Sequence, residues 1–300
     1  MLRFPFTSYG VVEILPHLRN ALYVNWKRTL RLINYMITDS HCHIHDQDFP
    51  FATAEVFDNM REMGVARAIC IGVDTENSQR AINFCQQNEA NPQNIQLFAC
   101  IGIHPHEAEK FDFAQDLPKL EVMLENQKVI GIGEIGLDYF YENSPRQIQQ
   151  EVLKAQLRLA QKHNLPVSFH VRNAYADFWR VLDEVEAGGA KIRGVLHSFT
   201  DSEENLAEAL RRGFYIGVNG ISTFVKEEHE LEMFTQIPLE KTLLETDAPF
   251  LAPKGKRGRK NQPAWTALVA EDLAEKRGLS VEEVAKITEQ NVNKLFRLWK

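Results

Sequence analysis

The chain has 300 residues, 44% hydrophobic and 25% charged, with a net charge of −7. This excludes disordered and fibrous classes and leaves room for one (β/α)8 barrel of roughly 250 residues plus an extension, or for two smaller domains. A mildly acidic chain is no generic nucleic-acid binder, so any contact with phosphate has to be local.

Residues 1–35 stand apart, with Arg3, Arg19, Lys27, Arg28 and Arg31 against Glu13 alone. They read as an N-terminal extension, either a mis-called start ahead of Met36 or a disordered segment. A helical extension and a targeting peptide are the lesser readings; no continuous apolar core of a secretory signal is present.

From Met36 onward, short apolar runs alternate with amphipathic ones. Strands are expected at 36–41, 67–73, 96–103, 128–134, 166–171, 192–197, 214–219 and 241–246. Helices are expected near 53–63, 77–88, 115–125, 146–163, 174–187, 202–212 and 227–235, with two more near 263–277 and 280–297. Strands that alternate with helices pair in parallel, and the lack of polar alternation in Val129–Gly133 suits a strand buried on both faces. Eight such units predict an α/β fold, a single closed (β/α)8 TIM-type barrel over 36–300.

Five strands end in metal-type ligands. Asp39-Ser-His41-Cys-His43 closes the first, and the spacing of two puts both imidazoles on one face. Cys42 between them should face away, and His45 falls past the strand. Glu134 ends the fourth strand, His170 the fifth, His197 the sixth and Asp247 the eighth. Any one strand-end histidine is often structural; five segments in one register predict a dinuclear centre at the C-terminal ends of the strands. A divalent pair would lower the pKa of an attacking water and offset charge on the leaving group, with Asp247 as general base. Gly131-Ile-Gly133-Glu-Ile-Gly136 matches a dinucleotide fingerprint, but a loop follows it where that motif needs a helix.

Around this centre lie candidate substrate contacts. His104 ends the third strand, and Arg172 follows His170 by two. Five basic residues lie within Lys254–Lys260, in the loop after the last strand. That loop is a frequent phosphate site in barrels. The four cysteines show no CxxC pairing and read as free thiols of a reducing, cytoplasmic compartment. No run reaches the roughly 18 apolar residues of a membrane span. Neither a separate nucleic-acid module nor an obligate protein partner is evident.

The strings Asp39–His43, Gly102-Ile-His-Pro-His106, Gly133–Asp138, His170-Val-Arg172, His197-Ser-Phe-Thr200, Leu244–Pro249 and Arg257-Gly…Asn261…Pro263 resemble the TatD family of metal-dependent deoxyribonucleases. They run in family order over nearly all of the chain after Met36. The resemblance implies an amidohydrolase-like barrel, two divalent ions and hydrolysis of DNA phosphodiester bonds, in an exonuclease-like manner, at ends or on single strands. It puts one ion on His41, His43, Glu134 and Asp247 and the other on His170, His197 and Glu134, with Glu134 and Asp247 catalytic. His104, Arg172, Arg257 and Asn261 are then the expected substrate contacts. Zinc, magnesium and manganese all suit such ligands. The rival reading keeps the metals and changes the substrate to a small ester, lactone or amide.

Overall fold

The computed structural model describes residues 35–225 and 233–298. The proposed extension at 1–35 lies outside them except for Tyr35, as does most of the helix expected at 227–235. In the described residues the strands are β1 (Ile37–Cys42), β2 (Val65–Ile71), β3 (Gln96–Ile101), β4 (Val129–Asp138), β5 (Val167–Arg172), β6 (Gly194–Leu196), β7 (Tyr215–Val218) and β8 (Thr242–Leu244). The α-helices are α1 (Thr53–Glu62), α2 (Thr75–Gln87), α3 (Asp116–Met123), α4 (Arg146–His163), α5 (Tyr175–Glu186), α6 (Glu203–Arg212), α7 (Thr266–Arg277) and α8 (Val281–Phe296). The strands pair in parallel in chain order, β1 through β8. The seam between β8 and β1 is held more thinly. There His43 N–H donates to Ala248 O at 2.8 Å and Asp247 N–H donates to His41 O at 2.9 Å, around one isolated bridge from Cys42 to Ala248.

Local sequence explains the joints. The N-terminus of α6 is capped by Ser202, which accepts from Asn205 N–H, and the helix stops at Gly213 in the left-handed region. Ser280 and Glu283 cap α8 reciprocally. The inner face of α4 buries Val152, Leu153, Leu157 and Ala160 at helical spacing. Two glutamines on that face bind strand-end backbone. Gln149 exchanges hydrogen bonds with both the N–H and the C=O of Asp138, and Gln156 does the same with Ile103. Those bonds fix the residues that carry the site.

The barrel is a packed core. Ile69, Ile71, Cys100, Val195 and Leu243 cluster with Val292, Leu295 and Phe296 of α8. The last helix thus seals the end of the barrel where the strands begin. It also carries Glu289, which accepts from Thr38 Oγ1 at 2.6 Å and pairs with the buried guanidinium of Arg67. The opposite end, where the strands finish, is left for chemistry.

The main departure from expectation is β4. It runs four residues past Glu134, because Ile135 to Asp138 pair in register with Phe169 to Arg172. Glu134 therefore sits inside a strand. Glycine permits this approach: a Cβ on Gly136 would lie 1.7 Å from the His170 carbonyl oxygen. By contrast β6 and β8 are shorter than expected, so His197 and Asp247 stand in the turns just beyond them.

Candidate active site

His41 and His43 project into the barrel mouth, while Cys42 is fully buried with its thiol toward Ile69 O. Each ring is oriented through one nitrogen. His43 Nδ1 lies 2.9 Å from Ile71 O, so it carries the hydrogen, and Nε2 of the neutral ring is a free lone pair. His41 Nδ1 meets Ser168 Oγ at 3.2 Å, and His197 Nδ1 lies 3.4 Å from Glu245 Oε1. Glu245 is itself fixed by Ser198 N–H at 2.7 Å. Such outer partners are what metal-binding imidazoles need.

The second nitrogens converge on carboxylates. Glu134 Oε2 is 3.3 Å from His41 Nε2 and 3.9 Å from His43 Nε2. Its other oxygen, Oε1, is 2.9 Å from His170 Nδ1 and 3.1 Å from His197 Nε2. Asp247 Oδ1 lies 3.4 Å from His43 Nε2 and 3.7 Å from His41 Nε2. Among the described residues, three overlapping groups have ligand atoms close enough to hold a cation: His41–His43–Asp247, His41–Glu134–His197 and His104–Glu134–His170. His41 Nε2 is buried without a hydrogen-bond partner, which a cation would relieve. The mixed nitrogen and oxygen donors fit a catalytic divalent ion better than a closed thiolate site.

Electrostatics follow from burial and crowding. Burial opposes charge on His43, but the Asp247 and Glu134 carboxylates outweigh it and raise its pKa to about 9. His197 and His170 are also raised against burial, by Glu134 together with Glu245 and Asp138 respectively. His41, stacked on His197 with ring centroids 3.8 Å apart, is lowered by burial and by that neighbour's charge. Asp247 is lowered despite burial, since His43, His197 and His41 surround it. The metal-free site therefore stores protons where cations would bind.

Asp138 closes the Gly133–Asp138 string, where sequence alone assigns it no role. Its Oδ2 lies 3.0 Å from His170 Nε2 and 2.9 Å from His106 Nε2. These two histidine contacts help hold its carboxyl far below the usual range, against a larger burial effect. Its even offset from Glu134 along one strand was the available signal. Glu245, which sequence alone likewise leaves without a role, faces His197 Nδ1 at 3.4 Å.

A cleft of about 350 Å³ opens above the cluster, and its lining includes His104, Arg172, Tyr141 and Phe250. His104 Nδ1 accepts from His106 N–H at 3.1 Å, which leaves Nε2–H facing Glu134 Oε1 at 3.6 Å. Burial keeps that ring neutral. The Arg172 guanidinium lies over the rings of Phe140 and Tyr141, 4.0 and 4.9 Å from their centroids. Among the described residues no carboxylate pairs with it.

The structure separates the other two expected substrate contacts from this group. Arg257 is not among the cleft-lining residues; its guanidinium lies 5.9 Å from the Phe224 ring centroid. Asn261 is fully buried, and both side-chain polar atoms serve backbone. It donates to Thr246 O at 2.9 Å and accepts from Gln262 N–H at 2.9 Å. Its physical part is to hold the segment that carries Asp247. The signal for this was the polar side chain's proximity in sequence to a turn-rich, proline-bearing loop.

A model described as TatD related DNase matches residues 38–297. The chain belongs to the TatD family. An uncharacterized metal-dependent hydrolase of Bacillus subtilis, YabD, is 34% identical over 263 residues, covering 88% of this chain and 100% of that protein. A protein of Pantoea vagans named 3'-5' ssDNA/RNA exonuclease TatD is 34% identical over 250 residues, covering 81% and 93%. The crystal structure of YjjV, a TatD homolog from Escherichia coli K12, superposes with a TM-score of 0.77 at 30% identity, covering 88% and 98%. This TatD-family chain is an enzyme, a metal-dependent hydrolase acting on ester bonds. Among the described residues no helix is long and apolar enough to cross a membrane.

Proposed function

We propose that the chain is a two-metal nuclease that removes nucleotides from the ends of single-stranded DNA. The observation that carries this reading is Glu134, whose two oxygens face two different pairs of imidazoles at 2.9–3.9 Å. A carboxylate so disposed suits a bridge between two cations. His41, His43 and Asp247 would hold one and His170 and His197 the other. Bound there, the ions supply Lewis acidity, making water more acidic and offsetting charge on a phosphoryl oxygen.

The chain's own groups supply the rest. Asp247, ionised at neutral pH, accepts the proton of the attacking water. Arg172 offers a planar fork of donors to a phosphate, and its aromatic neighbours limit its rotation. His104 Nε2–H is placed to donate to a phosphate oxygen or to the departing one. The exonuclease named among the relatives supports a nucleic-acid substrate.

The test is cleavage of end-labelled single- and double-stranded DNA, and of RNA, by metal-stripped protein resupplied with magnesium, manganese or zinc. An Asp247→Asn variant runs beside it. Metal-dependent cutting of single strands, lost in the variant, is the expected result. Metal binding without cutting of any strand would overturn the nuclease reading and favour a small ester, lactone or amide.

A further inference from the structure

Five aromatic side chains are among the exposed large hydrophobics of the described residues; two of them, Tyr141 and Phe250 at 56% and 55% exposure, line the cleft, and a third, Phe140 at 54%, stands edge-on to Tyr141 with ring centroids 4.8 Å apart. They are not loosely attached. The backbone N–H groups of Phe140 and Tyr141 both donate to Asp138 Oδ1, at 2.9 and 3.0 Å. The same carboxylate orients His170 through its other oxygen. Phe250 N–H donates to Asp247 O at 2.8 Å, and its ring stands edge-on to His43 with centroids 6.5 Å apart. Tyr141 stands edge-on to His106, 5.6 Å away. One aromatic pair is thus anchored on the His170 side of the cluster, and one ring on the His43 side.

Apolar rings left half in water and pinned to ligand-bearing residues call for a flat, weakly hydrated partner. The cation beside them, Arg172, calls for an anion at the same place. A nucleotide joins both chemistries, an aromatic base to a phosphate. We infer that Tyr141 and Phe250, with Phe140 beside Tyr141, stack unpaired bases on the two sides of the scissile phosphate, and that this stacking selects single strands. A base within a duplex has its faces occupied by its neighbours and would have to unstack first. The rings read no hydrogen-bond pattern, so the selection is tolerant of sequence.

This inference rests on the nuclease reading, and the experiment separates the two. The probes are a single-stranded oligonucleotide and the same strand with abasic residues at both ends. Steady-state kcat and KM are measured for the wild type, Tyr141→Ala and Phe250→Ala, with Tyr141→Phe as the conservative variant. The wild type should prefer the base-bearing strand by roughly 5- to 100-fold, mostly through KM. Each alanine variant should lose much of that preference, and Tyr141→Phe should keep it. Wild-type enzyme cutting both strands alike would overturn the stacking inference while leaving the nuclease standing, and this readout needs no variant to fold. Alanine variants that keep the wild-type preference would overturn it as well. A wild type that cuts neither strand would remove the nuclease reading and the inference together.

Discussion

Metal affinity of the stripped enzyme should depend steeply on pH, and the proton on His43 sets the least slope. A cation and a proton compete for its Nε2. With its pKa raised to about 9, only about 1% of the ring is deprotonated near pH 7, so affinity there should be ~100-fold below its alkaline limit, or ~2.7 kcal/mol. His197 and His170 are raised too, which steepens the dependence further. Calorimetric titration with zinc in two buffers of different protonation enthalpy would count the protons released, and more than one is expected at neutral pH. Stability carries the opposite sign. A histidine pKa lifted from 6.5 to about 9 stabilises the metal-free fold fully below pH 6.5, and this is lost as pH rises through 9. Stripped protein should therefore melt at lower temperature as pH climbs across that window. Affinity that stays flat from pH 6.5 to 9, with no proton release, would refute the reasoning.

Four further outcomes are expected. Asp138→Asn weakens the charge behind His170 and should lower metal affinity ~10- to 100-fold, read by competition with a chelator; unchanged affinity would remove its orienting role. Glu289→Ala takes away the carboxylate facing the buried Arg67 and should cost about 3 kcal/mol in urea denaturation, far beyond a surface ion pair. Gly136→Ala drives a methyl into the His170 carbonyl and should cost roughly 3 kcal/mol or more, with loss of activity; a neutral effect in thermal melts would contradict the tight β4–β5 approach. Removal of the metals by chelation should abolish hydrolysis yet leave the far-ultraviolet circular dichroism intact, because the core is built of apolar side chains. Unfolding on chelation would recast the ions as structural.

The alternation of apolar runs with amphipathic ones was enough to read eight strands in order, because parallel strands buried on both faces leave a plain signal. The convergence of His41, His43, Glu134, His170, His197 and Asp247 was legible for a related reason: closure of a barrel carries all strand ends to one mouth. Less could be read where tertiary pairing decides. Glu134 stands inside β4 because the β5 register prolongs that strand, and no local pattern announces a register. Asn261 looked like a substrate contact from its place beside basic residues, but its side chain is spent on Thr246 and Gln262 backbone. Arg257 shares the charge pattern of an anion site, yet charge along a loop does not say which way the loop faces. Asp138 and Glu245 went unassigned because their partners, Phe140 and Tyr141 N–H with two histidines for one and Ser198 N–H with His197 for the other, come together only in the folded chain, and spacing alone cannot show them.

The thin seam between β8 and β1 gives the candidate site a role in assembly. His41 and Asp247 come from opposite ends of the barrel sequence and meet across the place where only a few backbone bonds join first strand to last. A growing chain on the ribosome holds His41 and His43 long before Asp247 emerges, and α8, which seals the lumen, comes later still. No N-terminal fragment can therefore complete the His41–His43–Asp247 group, which a newly made chain assembles only when synthesis is nearly finished. An ion held there would latch a loop of roughly 200 residues, the kind of closure for which cross-links offset the most chain entropy.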